Sequence, residues 1–235
     1  MTDPSLALAI PLYDEEGNVE RVARDLLATF RTADVPLTLV LVDNGSRDAT
    51  RASVEELAAA EPEIEGVYLD RNAGYGGGIQ AGMQAALDSG ADVVGYMWGD
   101  AQVAAEDVIR VYRRLVVDGA DLSKARRVQR TDGWRRALVT RVYNTVTLWL
   151  FHVTSSDANG CPKLFRREAW ETLAPQSTDW FLDPEIMIAA ARHGLKKAEV
   201  DVVAHPRTAG RSKVGSSTVV EFLVNLSRER IRGGR

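Results

Sequence analysis

Leu37–Thr50 reads LTLVLVDNGSRDAT. Leu37–Val42 is an almost unbroken apolar run, the mark of a strand buried on both faces. Asp43-Asn44-Gly45 stops it, because these residues favour turns over strand. Ala49–Ala60 then reads as a helix, with Asp48 or Ser46 near its start as candidate caps. The same alternation recurs on both sides. Leu6–Pro11 (LALAIP) is a short apolar run closed by proline, and Glu16–Ala33 carries Val19, Val22, Leu26, Leu27 and Phe30 at helical spacing. Downstream come a strand at Gly66–Leu69, an Ala-rich helix at Gly78–Ser89 closed by Gly90, a strand at Asp92–Met97 and a helix at Glu106–Asp118. Strands alternating with helices predict an α/β chain with a mainly parallel sheet. Ligands of such sheets sit beyond the carboxyl ends of the strands. Those ends carry Tyr13-Asp14-Glu15, Asp43-Asn44, Arg71-Asn72 and Gly99-Asp100.

After Asp121 the regularity falls. Trp134–His152 reads as a long apolar-rich helix, and Ser155–Phe165 as a polar loop entering a short strand. Pro184–His193 reads as a helix stopped by Gly194, and Ala198–Ala204 as a strand. Arg207–Val214 is a glycine-containing basic loop, and Thr218–Ile231 a closing helix. Val142–Val153 is too short to span a bilayer. It either lies in the membrane interface through Trp149 and Phe151 or is ordinary core.

The chain has 235 residues, 45% apolar and 26% charged, which suits a large core built as one α/β unit or as two fused lobes. A single cysteine, Cys161, excludes an internal disulfide framework. No basic stretch precedes an apolar run at Met1-Thr2-Asp3-Pro4, and no window holds 18 uninterrupted apolar residues. The expectation is a cytoplasmic protein, either free or peripheral at the inner face of the membrane. The net charge of −4 conceals a split. Residues 1–120 hold 9 Arg and no Lys against 21 acidic residues, whereas residues 121–235 hold 20 basic against 12 acidic residues. The second half is suited to phosphates or an anionic membrane surface, unless the split only reflects solvated helix faces. Nothing in it points to nucleic acid.

Five stretches carry a resemblance. Ile10-Pro-Leu-Tyr-Asp-Glu-Glu is similar to "P-x-Y-N-E-E". Val42-Asp-Asn-Gly-Ser-Arg-Asp-Ala-Thr is similar to "V-D-D-G-S-x-D-x-T", and Asn72-Ala-Gly-Tyr-Gly to "N-x-G-x-G". Asp157-Ala-Asn-Gly-Cys-Pro-Lys-Leu-Phe resembles "D-x-x-S-G-F-R-x-F", and Arg207-Thr-Ala-Gly-Arg-Ser-Lys resembles "R-x-x-G-x-S-K". In this order they resemble inverting glycosyltransferases of family 2 type with the GT-A fold, nearest the polyprenyl- or dolichyl-phosphate sugar synthases. The resemblance implies a Rossmann-like, mainly parallel sheet with flanking helices and a C-terminal acceptor-binding portion. The chain would be a single domain, with 1–120 as the nucleotide-sugar half and 121–235 as the acceptor half.

The expected donor is a UDP- or GDP-sugar. Asp43 can accept from a ring N–H of uracil or guanine, Pro11 and Tyr13 can wall the base, and Glu15 can reach the ribose. Gly74, Gly76, Gly77 and Gly78 allow close backbone approach to a phosphate or base, and Asn72 in the same motif is a further donor-binding candidate. The family's "D-x-D", often "D-A-D-L-Q" in the lipid-phosphate branch, here reads Trp98-Gly-Asp100-Ala-Gln102. Asp100 and Gln102 are therefore the expected ligands of Mg²⁺ or Mn²⁺, with Trp98 in place of the first aspartate. One carboxylate, diphosphate oxygens and waters suffice for such a cation, which would neutralise the departing diphosphate.

Arg126 and Arg136 match arginines that hold the acceptor phosphate, since their forks pair bidentately with phosphate oxygens. Arg207, Ser212 and Lys213 would form a basic lid over the diphosphate. Asp157 is the candidate base for a hydroxyl acceptor, and otherwise a sugar ligand or a plain Asx turn. Asp183 and Glu185 would contact sugar hydroxyls or buttress the basic loop. His152, His193, His205 and Cys161 read as structural. Transfer to polyprenyl phosphate is the leading expectation. Transfer to a soluble hydroxyl or amine, or non-catalytic nucleotide-sugar binding, are the alternatives.

Overall fold

The computed structural model describes residues 3–129, 157–203 and 205. The expected helices at Trp134–His152 and Thr218–Ile231, and the basic loop Arg207–Val214, lie outside the described residues. The elements in chain order are β1 Leu6–Leu12, α1 Val19–Thr32, β2 Leu37–Asp43, α2 Thr50–Ala60, β3 Ile64–Tyr68, α3 Gly74–Asp88, β4 Val93–Tyr96, α4 Ala105–Asp118 and β5 Leu122–Gln129. They continue with β6 Lys163–Arg166, α5 Arg167–Leu173, α6 Leu182–Arg192 and β7 Lys197–Val203.

The seven strands form one sheet in the order β3-β2-β1-β4-β6-β5-β7. β1 pairs in parallel with β2 and β4, β2 with β3, and β5 with β7. β6 runs antiparallel between β4 and β5, so the sheet is mixed but mainly parallel.

Alternation along β1 sorts the core. Leu6, Leu8, Ile10 and Leu12 pack with residues of α1, α2 and α4, including Val22, Leu26, Phe30, Val54 and Val108. Ala7 and Ala9 face the other way, with Val40, Val42 and α3 residues Ile79 and Met83. Successive side chains of a strand point to opposite faces, so one strand divides two cores. The small face lets α3 come close. A Cβ added at Gly82 would lie 2.8 Å from both Ala9 Cβ and Val42 Cγ2. Each large aliphatic side chain buried this way contributes about 1.5–3 kcal/mol.

β5 and α5 are additions to the sequence expectation. β5 reads LSKARRVQ, with no apolar run to announce it. It forms because Ser123, Lys124 and Ala125 are fully buried between β6 and β7. α3 begins at Gly74 and not at Gly78, so the glycine stretch is its first turn. At α2 the first residue before the helix is Ala49, and Asp48 Oδ1 accepts from Thr50 N–H at 3.0 Å. Ser46 instead accepts the Asp14 N–H through its hydroxyl at 3.1 Å.

Candidate active site

Two loops at the carboxyl edge of the sheet are laced together by side chains accepting backbone donors. After β1, Asp14 takes a left-handed conformation (φ 52°), and its Oδ1 accepts Arg47 N–H at 2.8 Å. Glu15 N–H donates to Thr50 Oγ1 at 2.8 Å, and Glu16 Oε2 accepts Ala49 N–H at 2.8 Å. The Glu15 carboxylate accepts Asn18 Nδ2 at 2.7 Å. Pro11 lies in β1 and Tyr13 directly follows it. Asp43 ends β2 and is 1% exposed. Its Oδ1 accepts Ser46 N–H at 3.0 Å, and Arg51 Nη1 stands 4.0 Å from its Oδ2. The Arg51 guanidinium lies over Tyr68, 5.1 Å from the ring centroid.

Asn44 joins this edge to α3. Its Nδ2 donates to Gly74 O at 3.0 Å and its Oδ1 accepts Ala73 N–H at 2.9 Å. Asn72 Oδ1 accepts Gly74 N–H at 2.8 Å. At Gly76 the close approach is to protein and not to open space. A Cβ there would come within 2.6 Å of Ser177 O and 2.7 Å of Thr178 C. Glu185 holds that facing segment, accepting Gln176 N–H at 3.0 Å and Ser177 N–H at 2.8 Å.

Asp100 follows β4 and is 6% exposed. Its Oδ1 accepts Gln102 N–H at 3.2 Å across Ala101, whose φ is 57°. Gln102 Nε2 donates to His205 O at 3.1 Å, and His205 N–H donates back to Gln102 O at 2.9 Å. His205 thus acts through its backbone, two residues before Arg207. Among the described residues no three His, Cys, Asp or Glu side chains converge as metal ligands. Asp100 and Gln102 together supply oxygen donors, the ligand type that a hard divalent cation takes.

The arginines of β5 divide between its two faces. Arg126 Nε and Nη2 donate to Asp201 Oδ1 and Oδ2 at 2.6 and 2.8 Å, on the exposed side. Arg127 turns inward. Its Nε and Nη2 donate to Asp157 Oδ2 and Oδ1 at 2.9 and 2.8 Å, and its guanidinium carbon lies 4.9 Å from the Trp98 ring centroid. The structure thus brings Arg127, not Arg126, beside Trp98. Sequence reasoning passed over Arg127. The inward register of Ser123 and Ala125 in a recognised β5 would have singled it out. Arg136, Arg207, Ser212 and Lys213 lie outside the described residues.

Burial works against the Asp157 charge, but the Arg127 fork and charge outweigh it, with Lys124 adding. They hold the Asp157 carboxyl well below the usual carboxylate range. Lys124 is itself pushed down to about 8 by burial and by Lys163. A carboxyl with a depressed folded pKa lends stability that is present above its unfolded value of about 4 and is lost as pH falls below it. Asp157→Asn is therefore expected to lower Tm at neutral pH, with the gap to the parent narrowing between about pH 5 and pH 2. A gap that stays constant across that range in thermal denaturation would remove Asp157 as the source.

Beneath the edge runs a buried polar chain. Trp98 Nε1 donates to Tyr75 Oη at 3.0 Å, and Tyr75 Oη donates to Asp183 Oδ2 at 2.8 Å. Asp183 Oδ1 accepts Tyr96 Oη at 2.7 Å and also pairs with Lys163 Nζ. Asp183 therefore occupies an interior position in place of the sugar contact expected for it. Burial pushes the Cys161 thiol up to about 12, so it stays protonated and inert. Two hollows of about 280 and 400 Å³ open at the other, amino-terminal edge of the sheet, lined by residues such as Pro4 and Asp92 or Phe30 and Glu63. They lie away from the clustered carboxylates.

Residues 7–173 match the family described as Glycosyl transferase family 2. The polyprenol monophosphomannose synthase of Mycolicibacterium smegmatis is 28% identical over 95% of this chain and 86% of its own length. An undecaprenyl-phosphate 4-deoxy-4-formamido-L-arabinose transferase from Shewanella sediminis is 26% identical over 94% of this chain and 65% of its own length. Among solved structures, mannosyl-3-phosphoglycerate synthase from Rubrobacter xylanophilus superposes with a TM-score of 0.74 at 17% identity, covering 97% of this chain and 75% of that one. Glucosyl-3-phosphoglycerate synthase from Mycobacterium tuberculosis, in complex with Mg²⁺ and UDP, gives 0.70 at 19% identity, covering 94% and 79%. The shared architecture is the GT-A fold.

Proposed function

Because the chain belongs to glycosyl transferase family 2, we propose that this glycosyltransferase moves a sugar from a nucleoside diphosphate to a polyprenyl phosphate. The names of the two curated relatives support a polyprenyl-phosphate acceptor. One observation carries the choice of a phosphate over a hydroxyl. Transfer to a hydroxyl needs a base to take its proton. Asp157, the candidate base, has both oxygens committed to Arg127 and is held firmly ionised. A phosphate monoester needs no such help, because its second pKa is about 6 and it is mostly dianionic at neutral pH.

In this reading Pro11, Tyr13, Glu15 and Asp43 hold the nucleoside, with Asn72 just before α3 beside its phosphate side, while Gly76 serves packing against Ser177 and Thr178. Asp100, with Gln102, would hold a divalent cation against the diphosphate, and the bound cation would supply charge neutralisation for the leaving group. Arg127 faces the acceptor phosphate while Asp157 holds its fork. Arg126, and with it Arg136, Arg207, Ser212 and Lys213 from outside the described residues, are the basic and polar groups proposed to meet phosphates or an anionic membrane. No helix among the described residues is long and apolar enough to cross a membrane. In this reading the lipid acceptor is met at the membrane surface.

The test is product analysis with labelled UDP- and GDP-sugars, offered undecaprenyl phosphate or soluble hydroxyl and amine acceptors. Label is expected in the organic-extractable fraction only with the lipid phosphate. Transfer confined to soluble acceptors would overturn the phosphate assignment.

A further inference from the structure

Position 98 has a task of its own, and we propose that Trp98 is a positioning residue that holds the Arg127 guanidinium with one edge presented to the acceptor phosphate. This rests on the phosphate-acceptor reading above. Three contacts fix the arrangement. The Trp98 N–H donates to Tyr75 Oη at 3.0 Å. Tyr75 is itself immobilised, stacked on Trp180 at 4.2 Å with ring planes 11° apart and bonded to Asp183. The indole therefore cannot swing without breaking the chain beneath it. Its ring lies against the guanidinium of Arg127 at 4.9 Å, an attraction of cation for π face.

The Arg127 fork is then spoken for on two sides. Asp157 takes Nε and Nη2, and the indole covers a face. Among the described residues no partner meets Nη1, and that edge remains for a ligand oxygen. A charge fixed in advance needs no reorganisation when its ligand arrives. The uncharged ring matters as much as the contact. An aspartate here, as the "D-x-D" pattern has, would set a second anion beside Arg127 to compete with phosphate for the same N–H groups. Indole attracts the cation without adding a charge, so Asp157 remains the main anion offsetting it, with a smaller contribution from Asp183.

The experiment compares Trp98→Phe, Trp98→Ala and Trp98→Asp. Each is assayed with both substrates varied, and the Arg127 Nε–H resonance, assigned through Arg127→Lys, is followed by NMR. Trp98→Ala is expected to raise the KM for polyprenyl phosphate about tenfold and that for the nucleotide sugar less than about twofold. Trp98→Phe keeps a ring under the guanidinium and should recover most of the loss, whereas Trp98→Asp should be worse than alanine. The Nε–H resonance should move when the ring is removed and stay near its place with phenylalanine. Equal rises in both KM values, or phenylalanine behaving like alanine, would overturn the inference, because a merely structural tryptophan predicts those outcomes. If the parent enzyme transfers nothing to polyprenyl phosphate, the acceptor reading is what fails. The resonance then decides the role of Trp98, and an unmoved signal in Trp98→Ala refutes it. Should alanine fail to fold, the phenylalanine and aspartate variants carry the same comparison.

Discussion

Asp100→Ala lowers the rate of sugar transfer about 10²–10³-fold and leaves Tm within a few degrees of the parent, in steady-state assays paired with thermal denaturation. The size follows from the task. A sugar leaving a nucleoside diphosphate leaves a highly charged group behind, and Asp100 with Gln102 is the described oxygen-donor pair beyond β4 that can hold a cation against it. Trp98 supplies no second carboxylate at the position where the family pattern has one, so in the proposed reaction this role would fall on Asp100. The fold survives because the Asp100 side chain bonds locally to the Gln102 N–H, outside the apolar core. Asp100→Asn keeps an acceptor for that N–H and removes the charge, so it separates the two roles. A turnover within about threefold of the parent in both variants would end the assignment of Asp100 to the chemistry.

Asp183→Ala is expected to destabilise the protein by about 3–5 kcal/mol, the cost of leaving a buried charge without its partner. At about 2–4 °C per kcal/mol for a chain of this length, Tm falls by roughly 6–20 °C. Asp183 is buried and takes hydrogen bonds from Tyr75, Tyr96 and Lys163, so its loss strands three donors at once. Lys163→Met strands only the carboxylate, which keeps both tyrosine hydroxyls, and should cost less. The double variant should cost less than the sum of the singles, since each removes what the other would leave unpaired. A Tm within about 2 °C of the parent for Asp183→Ala would mean that water or rearrangement satisfies the site.

Much of the donor half was legible because its signals are local. The runs at Leu6, Leu37 and Val93 and the turn residues after them announced three strands and placed Pro11, Asp43 and Asp100 at one edge. What the sequence hid depends on tertiary context. Lys124 and Lys163 are charged residues inside a sheet, tolerated because Asp157 O, Ala125 O and the Glu199 carboxylate meet the first and Asp183 meets the second. A strand built on such residues shows no apolar run. The choice between Arg126 and Arg127 likewise turns on register, which a one-residue shift reverses. From sequence, the glycines at 74–78 suggest space for a ligand. Space at Gly76 is instead filled by the backbone at Ser177 and Thr178, from a segment about a hundred residues away, which no local pattern announces.

The leucine–alanine alternation of β1 has a mechanical corollary. α3 lies almost on the sheet at Ala9 and Gly82, and the same helix begins at Gly74, where Asn44 ties it to the end of β2. A rod clamped at its middle transmits any wedge driven there to its tip. A single methylene added at Ala9 would therefore act as a shim, tilting the tip that bears Tyr75 and changing the aperture at the rim from a site that no substrate touches.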